Sequence, residues 1–240
     1  MNPTTKDILK WSIVGGLFAT PFIPFIVSQS LLFPFISGKG FAFRILIEIV
    51  FALWVILALA EPEYRPKLNL IAKSILFFVG VVFLADLFSK YPYKSFWSNY
   101  ERMEGFVSII HLVAYYFVLS SMLKGEIWWN RFWNTVLTSS VIMSIYGLLQ
   151  FAGKIKINQG TVRIDATFGN ATYLAIYMVF CMFIALTLLF KEKNKLWKWI
   201  YGGVFVLNSI VLYFTATRGA ILGFIGGIII FAIFTPVISI

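Results

Sequence analysis

Long apolar runs divide the chain and decide what it can fold into. Each has about the length, roughly 20 residues, that a helix needs to cross a lipid bilayer. We identify eight such runs, at residues 11–33, 41–60, 69–88, 106–123, 132–152, 170–190, 197–214 and 219–240. The sequence therefore predicts an all-α fold, a polytopic membrane helix bundle with about eight transmembrane helices.

Composition excludes the main soluble classes of protein. The chain is 60% hydrophobic and 12% charged, whereas soluble domains are about 45–50% apolar and about 25% charged. Too few polar side chains remain to cover a water-facing surface, which excludes an ordinary soluble enzyme, a disordered chain and a nucleic-acid-binding module. The connections between runs are short, so residues 1–240 are predicted to form one transmembrane domain.

The cationic side chains predict an orientation. Lys and Arg favour the cytoplasmic side of a membrane. With a cytoplasmic N-terminus, eleven of the 20 cations lie inside, among them the densest group, at 191–195. The other nine lie outside, which is more than the rule favours, and an anionic ligand at the outer leaflet would explain them. These nine are Lys39, Arg44, Lys90, Lys94, Arg102, Lys154, Lys156, Arg163 and Arg218.

Two arginines stand out as candidates for binding that anion. Arg218 lies between two apolar runs beside Gly219 and Ala220, small residues that allow close approach, and a guanidinium can fork onto phosphate oxygens. Its alternative role is to snorkel to lipid headgroups. Arg163 lies in a polar, glycine-containing segment before Asn170, which is predicted to cap the next helix. The alternative is a surface loop in which Arg163 pairs with Asp165.

Other polar residues near the predicted outer ends have mainly structural interpretations. Arg102 lies in an aromatic and acidic segment, residues 95–105, that can hold a loop against the spans. Arg44 and Glu48 are four residues apart and are expected to pair on one helix face, with Asp86 near the same end. His111 is expected to be a buried, hydrogen-bonded residue, since a single histidine cannot build a zinc site. No nucleotide or metal motif is present, so no cofactor or metal is expected.

Three stretches together carry a family resemblance. They are 96–105, 163–175 and 215–220, and the segment 147–150 before the second stretch also fits. In this order and among these spans, they resemble the O-antigen ligase and lipid-linked glycan polymerase superfamily of bacterial inner-membrane proteins. The likeness covers most of the chain, best from about residue 85 onward. It is closest to large ligase-like members that continue into tetratricopeptide repeats, although Ala171 stands where some members have proline.

The resemblance implies a metal-independent glycosyltransferase. Such proteins act in synthesis of lipopolysaccharide and other envelope glycans. They transfer a glycan from an undecaprenyl-diphosphate carrier to an acceptor, which is a lipid, a glycan or a protein, at the outer face of the inner membrane. Arg163 and Arg218 match the arginines that hold the carrier diphosphate. We expect Arg102, Asp86 and Asn170 to shape the same pocket.

One departure from the family concerns catalysis. The proposed general base of the family is a histidine in a large, later periplasmic loop, and His111 does not match it. The chain also stops within an apolar run, so we expect it to be the N-terminal portion of a longer enzyme, able to bind the carrier but inactive alone. Two alternatives remain open. The first is a glycan polymerase of the same superfamily or a flippase-type partner, which would still handle the carrier. The second is a non-catalytic membrane scaffold or transporter whose arginines only snorkel.

Overall fold

The computed structural model describes residues 1–99, 102–158 and 162–238, with side chains up to residue 233. All regular elements in these ranges are helical, as the sequence predicts. Tyr100, Glu101 and residues 160–161, which belong to segments discussed above, lie outside the described residues. The α-helices are α1 (Pro3–Ala19), α2 (Ser37–Ala60), α3 (Leu70–Leu87), α4 (Pro92–Trp97), α5 (Phe106–Met122), α6 (Glu126–Phe151), α7 (Ala171–Lys191), α8 (Lys195–Phe214) and α9 (Arg218–Ile238).

The apolar helices support a multi-pass membrane protein. Within the described part of the chain, six segments are long and apolar enough to cross a bilayer: Pro3–Phe25, Ser37–Ala60, Leu70–Leu87, Glu126–Phe151, Ala171–Lys191 and Lys195–Phe214. Two further apolar helices, Phe106–Met122 and Arg218–Ile233, are shorter. The helical membrane class is therefore confirmed, whereas the predicted number of eight spans is not.

The first span differs most from its predicted limits. Its helix begins at Pro3 rather than near residue 11, because Asn2 caps it by accepting a hydrogen bond from the Thr4 backbone N–H. The α-helix ends at Ala19, and a 3₁₀ helix with Pro21 and Pro24 continues to Phe25. Proline cannot donate the backbone hydrogen bond that continues an α-helix. Residues 26–36, which the apolar run included, form turns and bends.

The helices fall into two compact units, of which the first covers Met1–Arg131. In this unit α2 packs against α1 and α5, and α3 and α4 pack against α5. Its core contains Leu17, Val50, Leu57 and Val118. Gly16 lies directly against Val50, so that a Cβ at this position would collide with it.

The second unit covers Phe132–Ile240, and α7 packs extensively on α8 within it. A buried polar network crosses from α6 to α8. The Ser144 hydroxyl donates to Oδ1 of Asn208 at 2.8 Å, and Nδ2 of Asn208 donates to the Ser140 hydroxyl at 3.2 Å. Small residues and short polar contacts of this kind hold helices together in lipid, where burial of apolar side chains gives no driving force.

Replacing Asn208 tests the contribution of this network. We expect Asn208→Leu to destabilise the protein by about 1 kcal/mol, because the two hydrogen bonds that join α6 to α8 through Ser140 and Ser144 are lost. The measurement is thermal unfolding in detergent micelles, followed by tryptophan fluorescence. Thr187→Ala is the control, since the Thr187 hydroxyl donates to the Phe183 carbonyl of its own helix. Equal melting temperatures for the Asn208 variant and the control would contradict this role.

Candidate anionic-ligand site

Gln150, at the end of α6, organises the connection that carries Arg163. Its side chain is 2% exposed. The amide Nε2 donates to Oδ1 of Asp165 at 2.9 Å and to the Lys156 carbonyl at 3.1 Å. Its Oε1 accepts from the backbone N–H groups of Asp165 and Ala166 at 3.2 and 2.7 Å. One side chain therefore fixes the segment directly after Arg163 to the end of a transmembrane helix.

Asp165 extends this network inside the protein. Its carboxylate, in a fully buried residue, accepts from the Asn158 backbone N–H at 3.1 Å and from Asn158 Nδ2 at 3.2 Å. Next to it, Ile164 packs on Gly147, where an added Cβ would come within 3.4 Å of the Ile164 side chain. The connection between α6 and α7 is thus held against the rest of the second unit. This attachment fixes the backbone position of Arg163.

The structure brings the region of the two predicted arginines together. Nε of Arg163 donates to the Thr215 carbonyl and Nη2 donates to the Thr217 hydroxyl, both at 2.8 Å. Thr217 directly precedes Arg218, the first residue of α9. The alternative in which Arg163 pairs with Asp165 is wrong, since the two side chains bind different partners.

Arg218 and Asn170 complete the polar part of this site. Arg218 is exposed and forms no hydrogen bond or ion pair to the described residues. It lies in the first turn of α9, where backbone N–H groups and the helix dipole favour an anion. Asn170 caps α7 as predicted, with Oδ1 accepting from the Thr172 backbone N–H at 2.8 Å. Two arginine side chains and the N-terminus of α9 therefore lie at one end of the second unit.

An apolar groove between α7 and α9 begins at the same turn. It has a volume of about 390 Å³ and is lined on the α9 side by Thr217, Gly219, Ala220 and Gly223. Thr172, Ile176, Val179 and Phe180 line it on the α7 side. The eight-residue step from Thr172 to Phe180 along α7 corresponds to about 12 Å. Thr217 and Gly219, the residues on either side of Arg218, line one end of this apolar groove, and this arrangement suits an amphiphilic anion.

The remaining predicted site residues lie in the first unit. The Arg102 guanidinium lies over the Phe33 ring, 4.6 Å from its centroid, and the Arg102 and Met103 carbonyls accept from Arg44 at 3.3 and 3.0 Å. Asp86 is half-buried near the end of α3. The structure therefore gives Arg102 contacts that hold the segment before α5.

The predicted pair between Arg44 and Glu48 is wrong. Arg44 binds backbone carbonyls, and Oε1 of Glu48 lies 3.0 Å from Nε2 of His111 instead. Nδ1 of His111 lies 2.7 Å from the Val107 carbonyl, so the expected hydrogen bonding is confirmed, but the residue is half-buried rather than buried. A cavity of about 340 Å³ adjoins this pair, with Phe96 and Trp97 in its wall.

Several residues of these sites have no local sequence signal. The sequence does not indicate the contacts of Thr215 and Thr217 or the Glu48–His111 pair, because these contacts form only when the helices pack. Gln150 had two signals: it is a polar side chain at the end of an apolar run, and it belongs to the segment 147–150 that fits the family resemblance. Among the described residues no group of three His, Cys, Asp or Glu side chains lies close enough to hold a metal ion.

Comparisons with known proteins give no family or relative from which a function could be transferred. No protein-family model, curated protein or solved structure matches the chain.

Proposed function

We propose that this protein binds an undecaprenyl-diphosphate-linked glycan. In the full-length enzyme it transfers that glycan to an acceptor at the outer face of the bacterial inner membrane. The observation that supports this most directly is the attachment of Arg163 to Thr215 and Thr217, beside Arg218 and the apolar groove. A charged headgroup with a long apolar chain requires this combination of features.

The two arginines suit the chemistry of such a transfer. Diphosphate is the leaving group, so negative charge accumulates on it as the glycosidic bond breaks. Guanidinium groups held in place before the reaction stabilise that charge without a metal ion. The bonds to Thr215 and Thr217 use two of the five N–H donors of Arg163, which leaves three for a ligand. The N-terminus of α9 adds backbone donors.

The groove accounts for the lipid part of the ligand. Its volume of about 390 Å³ holds only the first part of a polyprenyl chain, with the remainder in the bilayer. Gly219 and Gly223 keep the α9 side open, since an added Cβ at either position would meet no atom within 4 Å. The donor would then lie with its diphosphate at Arg218 and its chain against Phe180.

A binding measurement tests the proposal. The purified protein in detergent is titrated with undecaprenyl diphosphate and with phosphatidylglycerol, and bound lipid is counted by native mass spectrometry. The quantity compared is the Arg218-dependent binding, which is the part lost in Arg218→Ala and retained in Lys154→Ala, a control cation in the connection after α6. We expect this part to be at least tenfold tighter for the diphosphate than for phosphatidylglycerol. Arg218-dependent binding that is equal for the two lipids, or absent for both, would favour the scaffold or transporter alternative.

A variant that fills the groove tests binding of the polyprenyl chain separately from binding of the diphosphate headgroup. We expect Gly223→Leu to weaken binding of undecaprenyl diphosphate about tenfold, because the new side chain occupies space the lipid needs. A soluble diphosphate such as methyl diphosphate should bind as before. Gly203→Leu is a matched control, since Gly203 lies in α8 and also has no atom within 4 Å of an added Cβ. Unchanged lipid binding by the Gly223 variant would place the chain elsewhere.

The polymerase alternative shares this donor site. It differs in the acceptor, which would be a second carrier-linked glycan rather than a lipid core or a protein. Incubation of the full-length protein with labelled donor alone distinguishes the two, because only a polymerase extends the glycan without another acceptor.

A further inference from the structure

Besides the cavity next to Glu48 and His111, the first unit contains a polar cavity, which we call the basic cavity. It has a volume of about 370 Å³ and lies where α2 and α5 end and α3 begins. Its charged and polar wall includes Glu63, Arg65, Lys67, Asn69, Ser121 and Lys124. None of these residues belongs to the proposed donor site, and the predicted topology places this end of the unit on the cytoplasmic side.

The charge of the basic cavity is positive. Three cations face one carboxylate, Glu63, and that carboxylate lies 2.8 Å from Nζ of Lys6. The hydrogen bond from Lys6 holds the pKa of Glu63 below its ordinary value, so the carboxylate stays ionised and already has a cationic partner. Excess positive charge therefore remains for a ligand.

Two of the cations are held in place and the third is available. Arg65 donates from Nε to the Ala58 carbonyl at 3.0 Å, and Lys124 donates to the Glu63 carbonyl and lies over the Tyr64 ring at 4.8 Å. Lys67 forms no ion pair within the described residues. A cavity with fixed cations and one unpaired ammonium is organised for an anion before any ligand arrives.

A buried hydroxyl in the wall is an independent sign of a ligand. Ser121 is 4% exposed, and its Oγ has no hydrogen-bond partner among the described residues. A buried polar group without a partner costs about 1–3 kcal/mol, so such groups are normally satisfied. The neighbouring Ser120 satisfies its own hydroxyl by donating to the Phe117 carbonyl at 3.2 Å. Ser121 therefore has an unused hydroxyl donor in the wall of the basic cavity.

We infer that the basic cavity binds the phosphate group of an anionic ligand. Lys67, Arg65 and Lys124 would neutralise the phosphate, and the Ser121 hydroxyl would donate to it. The N-terminus of α3, which Asn69 caps, favours the same charge. Leu68, Leu70 and Ile71 beside the cavity are 56%, 81% and 61% exposed. This apolar surface favours a phospholipid whose acyl chains run along α3 over free phosphate.

Native mass spectrometry of the purified chain in detergent tests this site. The probes are phosphatidylglycerol, phosphatidylcholine and inorganic phosphate. We expect saturable binding of phosphatidylglycerol at least tenfold tighter than of phosphatidylcholine. Lys67→Ala should weaken it at least fivefold, whereas Lys73→Ala, a lysine of α3 outside the cavity wall, should not change it. The undecaprenyl-diphosphate titration is run on the same variants, and Lys67→Ala should leave that binding intact.

Ser121→Ala tests the proposed hydrogen bond from the buried hydroxyl to the phosphate. It should weaken phosphatidylglycerol binding about threefold while leaving the melting temperature unchanged or higher, because it removes a buried hydroxyl that has no partner in the free protein. Saturable binding of inorganic phosphate with the same dependence on Lys67 and Ser121, but no preference between lipids, would assign the site to a free phosphate. The inference is overturned when no probe binds saturably, or when Lys73→Ala weakens binding as much as Lys67→Ala.

Discussion

Arg218→Ala is expected to lower glycan transfer by the full-length protein by about 100-fold or more, the usual loss when a charge-stabilising group is removed from a transition state. Arg218 is exposed and unpaired among the described residues, so its side chain supports no other part of the fold. Its substitution should leave expression and melting temperature unchanged. A loss of transfer without a loss of stability would indicate contact with the donor.

Arg163→Ala is expected to give a similar loss of transfer with a different signature. This variant also removes the hydrogen bonds to Thr215 and Thr217, so the turn before α9 should loosen and the melting temperature should fall slightly. Arg163→Lys keeps the charge but cannot reproduce the fork between a carbonyl and a hydroxyl. We expect it to recover little activity, whereas Arg218→Lys should recover part.

The measurement is transfer of labelled glycan in membranes that contain equal amounts of each variant. Lys154→Ala is the control for general loss of positive charge and should transfer normally. Normal transfer by both Arg163→Ala and Arg218→Ala would contradict the donor site. Loss of transfer in only one variant would assign the diphosphate to that arginine alone.

The class of fold was predictable because the signal is local and strong. A run of about 20 apolar residues has few alternatives to a helix in lipid, since the backbone must satisfy its own hydrogen bonds there. The limits of the first span were less predictable. Its start depends on the cap at Asn2, and its end depends on Pro21 and Pro24. A hydrophobicity pattern predicts neither a helix cap nor the change from an α-helix to a 3₁₀ helix.

The candidate site was predictable in part. Arg163 and Arg218 were identified by unusual charge and by resemblance, but the contact between their segments joins residues 52 positions apart. No spacing rule gives such a contact. The pair expected between Arg44 and Glu48 failed for a related reason. Four-residue spacing places two side chains on one face, but packing gives each a partner outside the helix, the 102–103 carbonyls for Arg44 and His111 for Glu48.

Gln150→Leu is expected to have the largest effect on stability, about 3 kcal/mol. It keeps a similar volume but removes a donor to Asp165 and to Lys156 and an acceptor for two backbone N–H groups. The backbone N–H groups of Asp165 and Ala166 are then buried without partners, at about 1–3 kcal/mol each before relaxation, whereas the Asp165 carboxylate keeps its hydrogen bonds from Asn158. Because Arg163 leads into this segment, the variant should lose donor binding together with stability. Thermal unfolding and the lipid titration measure both.

Gln150→Glu distinguishes hydrogen bonding from packing. A glutamate still accepts from the backbone N–H groups of Asp165 and Ala166, but it cannot donate, and it places a second carboxylate against Asp165. We expect it to be as damaging as Gln150→Leu at neutral pH. Adding Asp165→Asn should restore part of the stability and of the donor binding, because the new amide supplies a donor and removes the charge. If the double variant were no better than Gln150→Glu alone, the Gln150–Asp165 contact would not be what holds Arg163 beside α9.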